Sequence, residues 1–176
     1  MNARIDVATR DQIAELAEVA AQTFPLACPP AAAPPDIAAF IAENLSAERF
    51  TAYLDDPDRA VLTATVDHRI IGYAMMIRGV PKDADVARVI TAGPVVELSK
   101  MYVLPRSHGT GTSSALMSAA LREADKLGAH CVWLGVNQQN HRAQRFYAKH
   151  GFTVAGTRTF RLGTRVERDY VMVRPA

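Results

Sequence analysis

Apolar positions along this chain change period twice, and the changes outline its elements. Arg4–Ala8 reads as a short strand, after which T-R-D-Q at Thr9–Gln12 forms a capping-box pattern. Ile13, Leu16, Ala17, Ala20 and Phe24 follow at helical spacing. The segment Pro25–Pro35 holds five prolines, which remove donors and restrict the residues before them, so it is expected to be a non-helical surface loop. Two further helices are expected near Asp36–Leu45 and from Ser46, a plausible cap, to Asp55. The period then shortens. Ala60–Val66 and Ile70–Ile77 are β-branched apolar runs joined by Asp67-His68-Arg69, a hairpin, and Val95–Val103 is another strand. The second half alternates: helix Thr112–Leu127 before Gly128, strand Cys131–Val136, helix His141–His150 before Gly151, then strands Thr153–Leu162 and Val166–Val173 around Gly163-Thr164. Helices between strands imply a mixed sheet covered on both faces, hence an α/β fold.

Composition narrows the classes. The chain has 176 residues, 49% hydrophobic and 22% charged, enough for one compact domain spanning 1–176 and neither disordered nor fibrous. Net charge is +2, without the basic stripe of a nucleic-acid binder. No run of 18 apolar residues and no apolar signal core occurs, so no membrane partner and a cytoplasmic location are expected. Cys28 and Cys131 lack zinc or disulfide spacing, and no calcium pattern occurs, so no metal is expected.

Candidate chemistry concentrates in two stretches. In the first, a strand ends at Pro105 and is followed by Arg106, Ser107, His108, Gly109, Thr110, Gly111 and a helix from Thr112. Glycines here bring backbone N–H groups towards a ligand, and the helix adds its unpaired N–H groups and positive end, a cradle for a phosphate or pyrophosphate. A tight turn that happens to use two glycines is the competing reading. A Walker A loop lacks its lysine, a dinucleotide fingerprint lacks its third glycine, and a lipase-like oxyanion segment has no G-x-S-x-G partner. In the second stretch, Asn140 opens a helix on which Ala143, Phe146 and Tyr147 share a face.

Together these stretches resemble the GNAT N-acetyltransferase superfamily. Arg106, Gly109 and Gly111 match its Arg/Gln-x-x-Gly-x-Gly/Ala signature, and Asn140, Ala143, Phe146, Tyr147, Gly151 and Phe152 match its later signature. VELSKMYVLP, WLGVNQQN and the ending FRLG look like the spermidine/spermine (PaiA-type) branch. The resemblance implies a central sheet splayed between the fourth and fifth strands, with acetyl-CoA as co-substrate. Its pyrophosphate would lie on Arg106, Ser107, His108, Gly109, Thr110, Gly111 and Thr112, its pantetheine along the backbone of Met101 and Val103, and Asn140 near the pantetheine arm. Tyr147 would protonate the leaving thiolate. Glu97, placed by simple alternation on the face of Ser99, Met101 and Val103, is the candidate base, acting through a water. His108 reads as a solvated side chain rather than an acid or base.

The implied reaction is acetyl transfer to a primary amine of a small molecule. Acetylation of a protein N-terminus or lysine, and a silent CoA-binding module, are the alternatives. Dimerisation through the last hairpin is an expectation from the resemblance alone. Charge distribution sharpens the acceptor: residues 11–58 carry nine acids against Arg49, whereas residues 141–176 carry eight bases against Glu167 and Asp169. Acidic helices on the acceptor side favour a cationic, polyamine-like amine; ordinary solvated helix faces are the competing reading.

Overall fold

The computed structural model describes residues 2–91 and 93–175. In chain order its elements are β1 (Arg4–Val7), α1 (Ile13–Ala27), α2 (Pro34–Asn44), α3 (Ala47–Asp55), β2 (Arg59–Val66), β3 (Arg69–Arg78), α4 (Ala84–Val89), β4 (Val95–Val103), α5 (Thr112–Lys126), β5 (Cys131–Asn137), α6 (His141–Lys149), β6 (Thr153–Leu162) and β7 (Arg165–Pro175). The capping patterns are used: the Thr9 N–H donates to Gln12 Oε1 at 3.0 Å, and the Arg49 N–H donates to Ser46 Oγ at 3.2 Å. The β2–β3 turn needs Asp67 and His68 at positive φ, +51° and +64°, conformations suited to a two-residue hairpin.

The proline-rich expectation needs correction at both ends. α1 continues through Pro25 to Ala27, and α2 begins at Pro34 with Pro35 beside it. A proline in a first turn loses nothing, since its N–H would be unpaired there anyway. Pro25 sits in the last turn of α1, where the Cys28 N–H closes on its carbonyl at 3.2 Å. Only residues 28–33 form the connection. The short helix α4 was not anticipated. Asp83 caps it, accepting from the N–H of Asp85 at 2.8 Å, and Val86 and Ile90 bury against Val95, Cys131, Trp133 and Val171.

The sheet has seven strands in the order β1-β2-β3-β4-β5-β7-β6. All pairings are antiparallel except β4–β5, which is parallel. That pairing extends only over Val95–Glu97 against Cys131–Trp133; beyond it the two strands part. The core joins α1 and α3 to β2–β4 through Leu16, Phe24, Phe50 and Tyr73, and α5 through Leu116, Met117 and Ala120. No helix among the described residues is long and apolar enough to cross a membrane.

Candidate active site

The parting of β4 and β5 opens a cleft of about 310 Å³. Its walls come from the second halves of both strands, from Asn140, Phe146 and Tyr147 of the α6 region, from the end of α1 through Cys28 and Pro29, and from β6 and β7. Residues 26–29 of the proline-rich segment therefore stand in the wall.

At one mouth lies the Gly-rich loop. Gly109 and Gly111 have φ of +79° and +84°, and a side chain at either would be strained by the backbone although the space beside it is open. Among the described residues, the N–H groups of the six positions Gly109 to Ser114 find no backbone acceptor, and the first helical bond runs from Ala115 to the Gly111 carbonyl at 3.1 Å. The loop is braced from within: Thr110 Oγ1 donates to the Ser107 carbonyl at 2.6 Å and lies 2.8 Å from Thr112 Oγ1. Arg106 is exposed, whereas Ser107 and Thr112 are buried. Such a run of free donors at the start of a 15-residue helix fits a pyrophosphate. His108 is not a solvated side chain. It is half-buried, and its Nε2 lies 2.9 Å from the Val103 carbonyl, occupying one of the strand-edge groups expected to meet pantetheine. Met101 and Val103 both line the cleft. Asn140 also lines it while capping α6, accepting from the Ala143 N–H at 3.2 Å.

Tyr147 is half-buried, with its ring edge-on to Phe146 and Phe152 at 5.7 and 5.9 Å. Burial pushes its hydroxyl up to about 12, so it keeps its proton at any ordinary pH.

The expected face of Glu97 is corrected by a bulge. On β3, Met75 lies opposite Lys100 and Met76 opposite Leu98, which leaves Ser99 as an extra residue in β4. Alternation shifts by one position there. Glu97, Lys100 and Tyr102 share the face of Tyr73, Met75 and Ile77, whereas Met101 and Val103 face the other way with Leu98. Lys100 and Tyr102 line the cleft; Glu97 is not among the wall residues. Burial raises the Glu97 carboxyl above its usual range, with the Lys100, Arg158 and Arg59 cations opposing. Burial lowers Lys100, with Glu97 opposing.

Several wall residues escaped the sequence reading: Cys28, Lys100, Tyr102, Arg158, Glu167 and Asp169. One of them was recoverable. A two-residue turn at Gly163-Thr164 sets Leu162 opposite Arg165, and counting back places Arg158 opposite Asp169, a cross-strand charge pair. By contrast, none of the nine acids of residues 11–58 lines the cleft. Four of them pair with arginines elsewhere: Glu15 with Arg69, Asp55 with Arg10, Asp56 with Arg59 and Asp58 with Arg78. The carboxylates in the wall are Glu167 and Asp169 of β7, both buried.

A sheet splayed beside a donor-rich loop invites comparison with known proteins. Residues 16–152 match the Acetyltransferase (GNAT) family. The chain belongs to the GNAT acetyltransferase family. It is 61% identical over 160 residues to an uncharacterised N-acetyltransferase of Mycobacterium tuberculosis, covering 91% of this chain and 95% of that one. A protein of Lactobacillus delbrueckii described in the same words is 24% identical over 79% of this chain and 78% of its own. The fold is similar to that of the PaiA N-acetyltransferase of Thermoplasma acidophilum in complex with coenzyme A, with a TM-score of 0.79 and 21% identity over all of both chains. It is also similar to the ribosomal-protein-alanine N-acetyltransferase of Brucella melitensis, with a TM-score of 0.72 and 20% identity over 98% of this chain and 99% of that one. This GNAT protein is accordingly an N-acetyltransferase, and acetyl-CoA is its co-substrate.

Proposed function

We propose that this enzyme acetylates a primary amine of a small molecule by direct attack on the thioester, with Tyr147 as the acid. The observation that carries the reading is the cleft itself, which runs through the splay with Tyr147 on one wall and Lys100 and Tyr102 of β4 on another. Bound acetyl-CoA supplies the activated acetyl group. The N–H groups of Gly109 to Ser114, with Ser107, Thr112 and the exposed Arg106 around them, hold its pyrophosphate; Met101, Val103 and Asn140 border the pantetheine path. Tyr147, kept neutral by burial, gives its proton to the departing sulfur. Glu97 is the proton acceptor, working through water because its side chain lies outside the wall, and its raised pKa makes it a better acceptor than an exposed carboxylate. Two unpaired thiols, Cys28 and Cys131, agree with a cytoplasmic setting.

A polyamine-like acceptor draws on the acid-rich segment 11–58, yet that segment contributes no carboxylate to the wall. The two carboxylates present are each engaged by an arginine, Glu167 by Arg165 and Asp169 by Arg158. Polyamines are therefore one arm of the test and not its premise. Thiol release from acetyl-CoA is measured with polyamines, simple amines, amino acids and N-terminal peptides. Acetylation of small amines with little turnover of peptides is expected. Tyr147→Phe should lower kcat about 100-fold or more while leaving the KM for acetyl-CoA nearly unchanged. Wild-type turnover in that variant removes Tyr147 from the mechanism, and turnover of peptides alone overturns the small-molecule reading.

A further inference from the structure

Two cationic side chains in the wall of the cleft keep hydrogen-bond donors unspent. Arg158 projects from β6 onto the face that carries Glu97, Trp133 and Asp169, because Arg158 pairs with Asp169, Asp169 with Asn137, and Glu97 with Trp133. Its side chain is only 17% exposed and that of Asp169 8%. Three contacts fix the guanidinium. Its Nε donates to Asp169 Oδ2 at 3.1 Å, its Cζ lies 5.6 Å from the centre of the Trp133 ring, and it rests against Gly135, where an added Cβ would collide with it. Only the Nε is spent. Among the described residues neither Nη finds a hydrogen-bond acceptor, and Arg158 lines the cleft. A second cation, Lys100, lines the same cleft. Its Nζ reaches only the carbonyl and hydroxyl of its neighbour Ser99, at 3.1 and 3.4 Å, with no carboxylate within ion-pair distance among the described residues. The other charged groups on this face are committed or recessed: Arg59 pairs with Asp56, Glu167 with Arg165, and Glu97 lies outside the wall.

A guanidinium held rigidly with its two Nη groups free is a fork for a planar anion, and a carboxylate matches that fork with two parallel hydrogen bonds. The neighbouring wall is apolar: Phe24 and Phe40 stack at 4.4 Å between centroids, and Phe160 meets Phe40 edge-on at 5.7 Å. We propose that the acceptor is an amino carboxylic acid with an apolar side chain, its carboxylate received by the Nη edge of Arg158 with Lys100 as the supporting cation. This names the acceptor class of the same site and rests on the acetyl-transfer reading. Asp169 and Gly135 are positioning residues: one orients the guanidinium and the other leaves room for it.

The test measures kcat/KM by thiol release with amines that differ only in the carboxylate: leucine against 3-methylbutylamine, and phenylalanine against 2-phenylethylamine. Spermidine forms a third arm. The carboxylated member of each pair should be favoured by about 10- to 100-fold, the worth of hydrogen bonds to a charged group. In Arg158→Gln the ratio should fall by about 10- to 100-fold from its wild-type value, mostly through KM; comparing ratios between variants cancels the different basicities of the amines. Because Asp169 would be left without its partner, the double variant Arg158→Gln/Asp169→Asn is measured beside it, with melting curves to show that it folds. The same collapse in the double variant supports the assignment. Preference for the plain amines or spermidine, or an unchanged ratio in a folded variant, overturns it. Turnover of plain amines alone would do so while leaving acetyl transfer standing; no thiol release with any amine would overturn both.

Discussion

Glu97 and Lys100 stand three positions apart on β4 yet share a face, because Ser99 bulges between them. Each alters the other's ionisation: the cation eases charging of the carboxyl that burial opposes, and the carboxylate does the same for the amine. The pH dependence of the proposed base role follows from the direction of the Glu97 shift. A base must be deprotonated, and burial raises the pH at which Glu97 loses its proton, so the wild-type rate should fall as pH drops through that raised value. Glu97→Gln should lower kcat/KM about 100-fold and remove this acid limb from the profile. A variant that keeps both the rate and the limb would show that Glu97 only tunes Lys100. Tyr147 contributes no alkaline limb below about pH 11, since its hydroxyl is pushed up to about 12.

At the scale of elements, much of the chain was legible because local chemistry and burial agree. β4 and β6 keep the boundaries that their apolar runs suggest, and the glycines after α5 and α6 take the positive φ of helix ends, +79° at Gly128 and +89° at Gly151. Ser46 is the simplest case to test. Its side chain satisfies an N–H of α3, so Ser46→Ala should cost about 1 kcal/mol and lower the melting temperature by about 2–4 °C, with kinetics unchanged. An unaltered melting point would mean that water replaces the cap. The failures have physical causes as well. The effect of a proline depends on its position in a helix, not on how many share a segment: it is benign in the first turn of α2 at Pro34 and tolerated in the last turn of α1 at Pro25. The six-residue helix α4 has too few turns to show a period; Asp83 was its one signal. The Ser99 bulge left no mark on the pattern, since Leu98, Met101 and Val103 read as plausible strand residues in either phase. The loop and Tyr147 stand out as candidates in the sequence because motifs repeat local chemistry, but the rest of the cleft wall is assembled from α1, α2, β4, β6 and β7, and only the tertiary fold brings these together.

For the whole molecule, the Gly-rich loop and the cleft should couple ligand binding to stability. With acetyl-CoA at about 100 times its Kd, the gain is about 2.7 kcal/mol, a rise of about 5–10 °C in melting temperature for a chain of this size. Acetyl-pantetheine, which lacks the pyrophosphate, should give a much smaller shift at equal concentration, because the N–H groups of Gly109 to Ser114 would remain without an acceptor. Equal shifts would place the binding energy elsewhere. The brevity of the β4–β5 pairing has one more consequence. An open sheet ends in two rims, and exposed rims are where chains adhere to one another and aggregate. This sheet carries a third rim indoors: β4 from Leu98 onward has no strand on its β5 side, walled in by α6, the end of α1 and the last hairpin. That rim opens onto the cleft, unlike the two outer edges of the sheet at β1 and β6. The strand-pairing groups of β4 are thereby turned towards the cleft, along the proposed pantetheine path, and away from the edges at which chains meet.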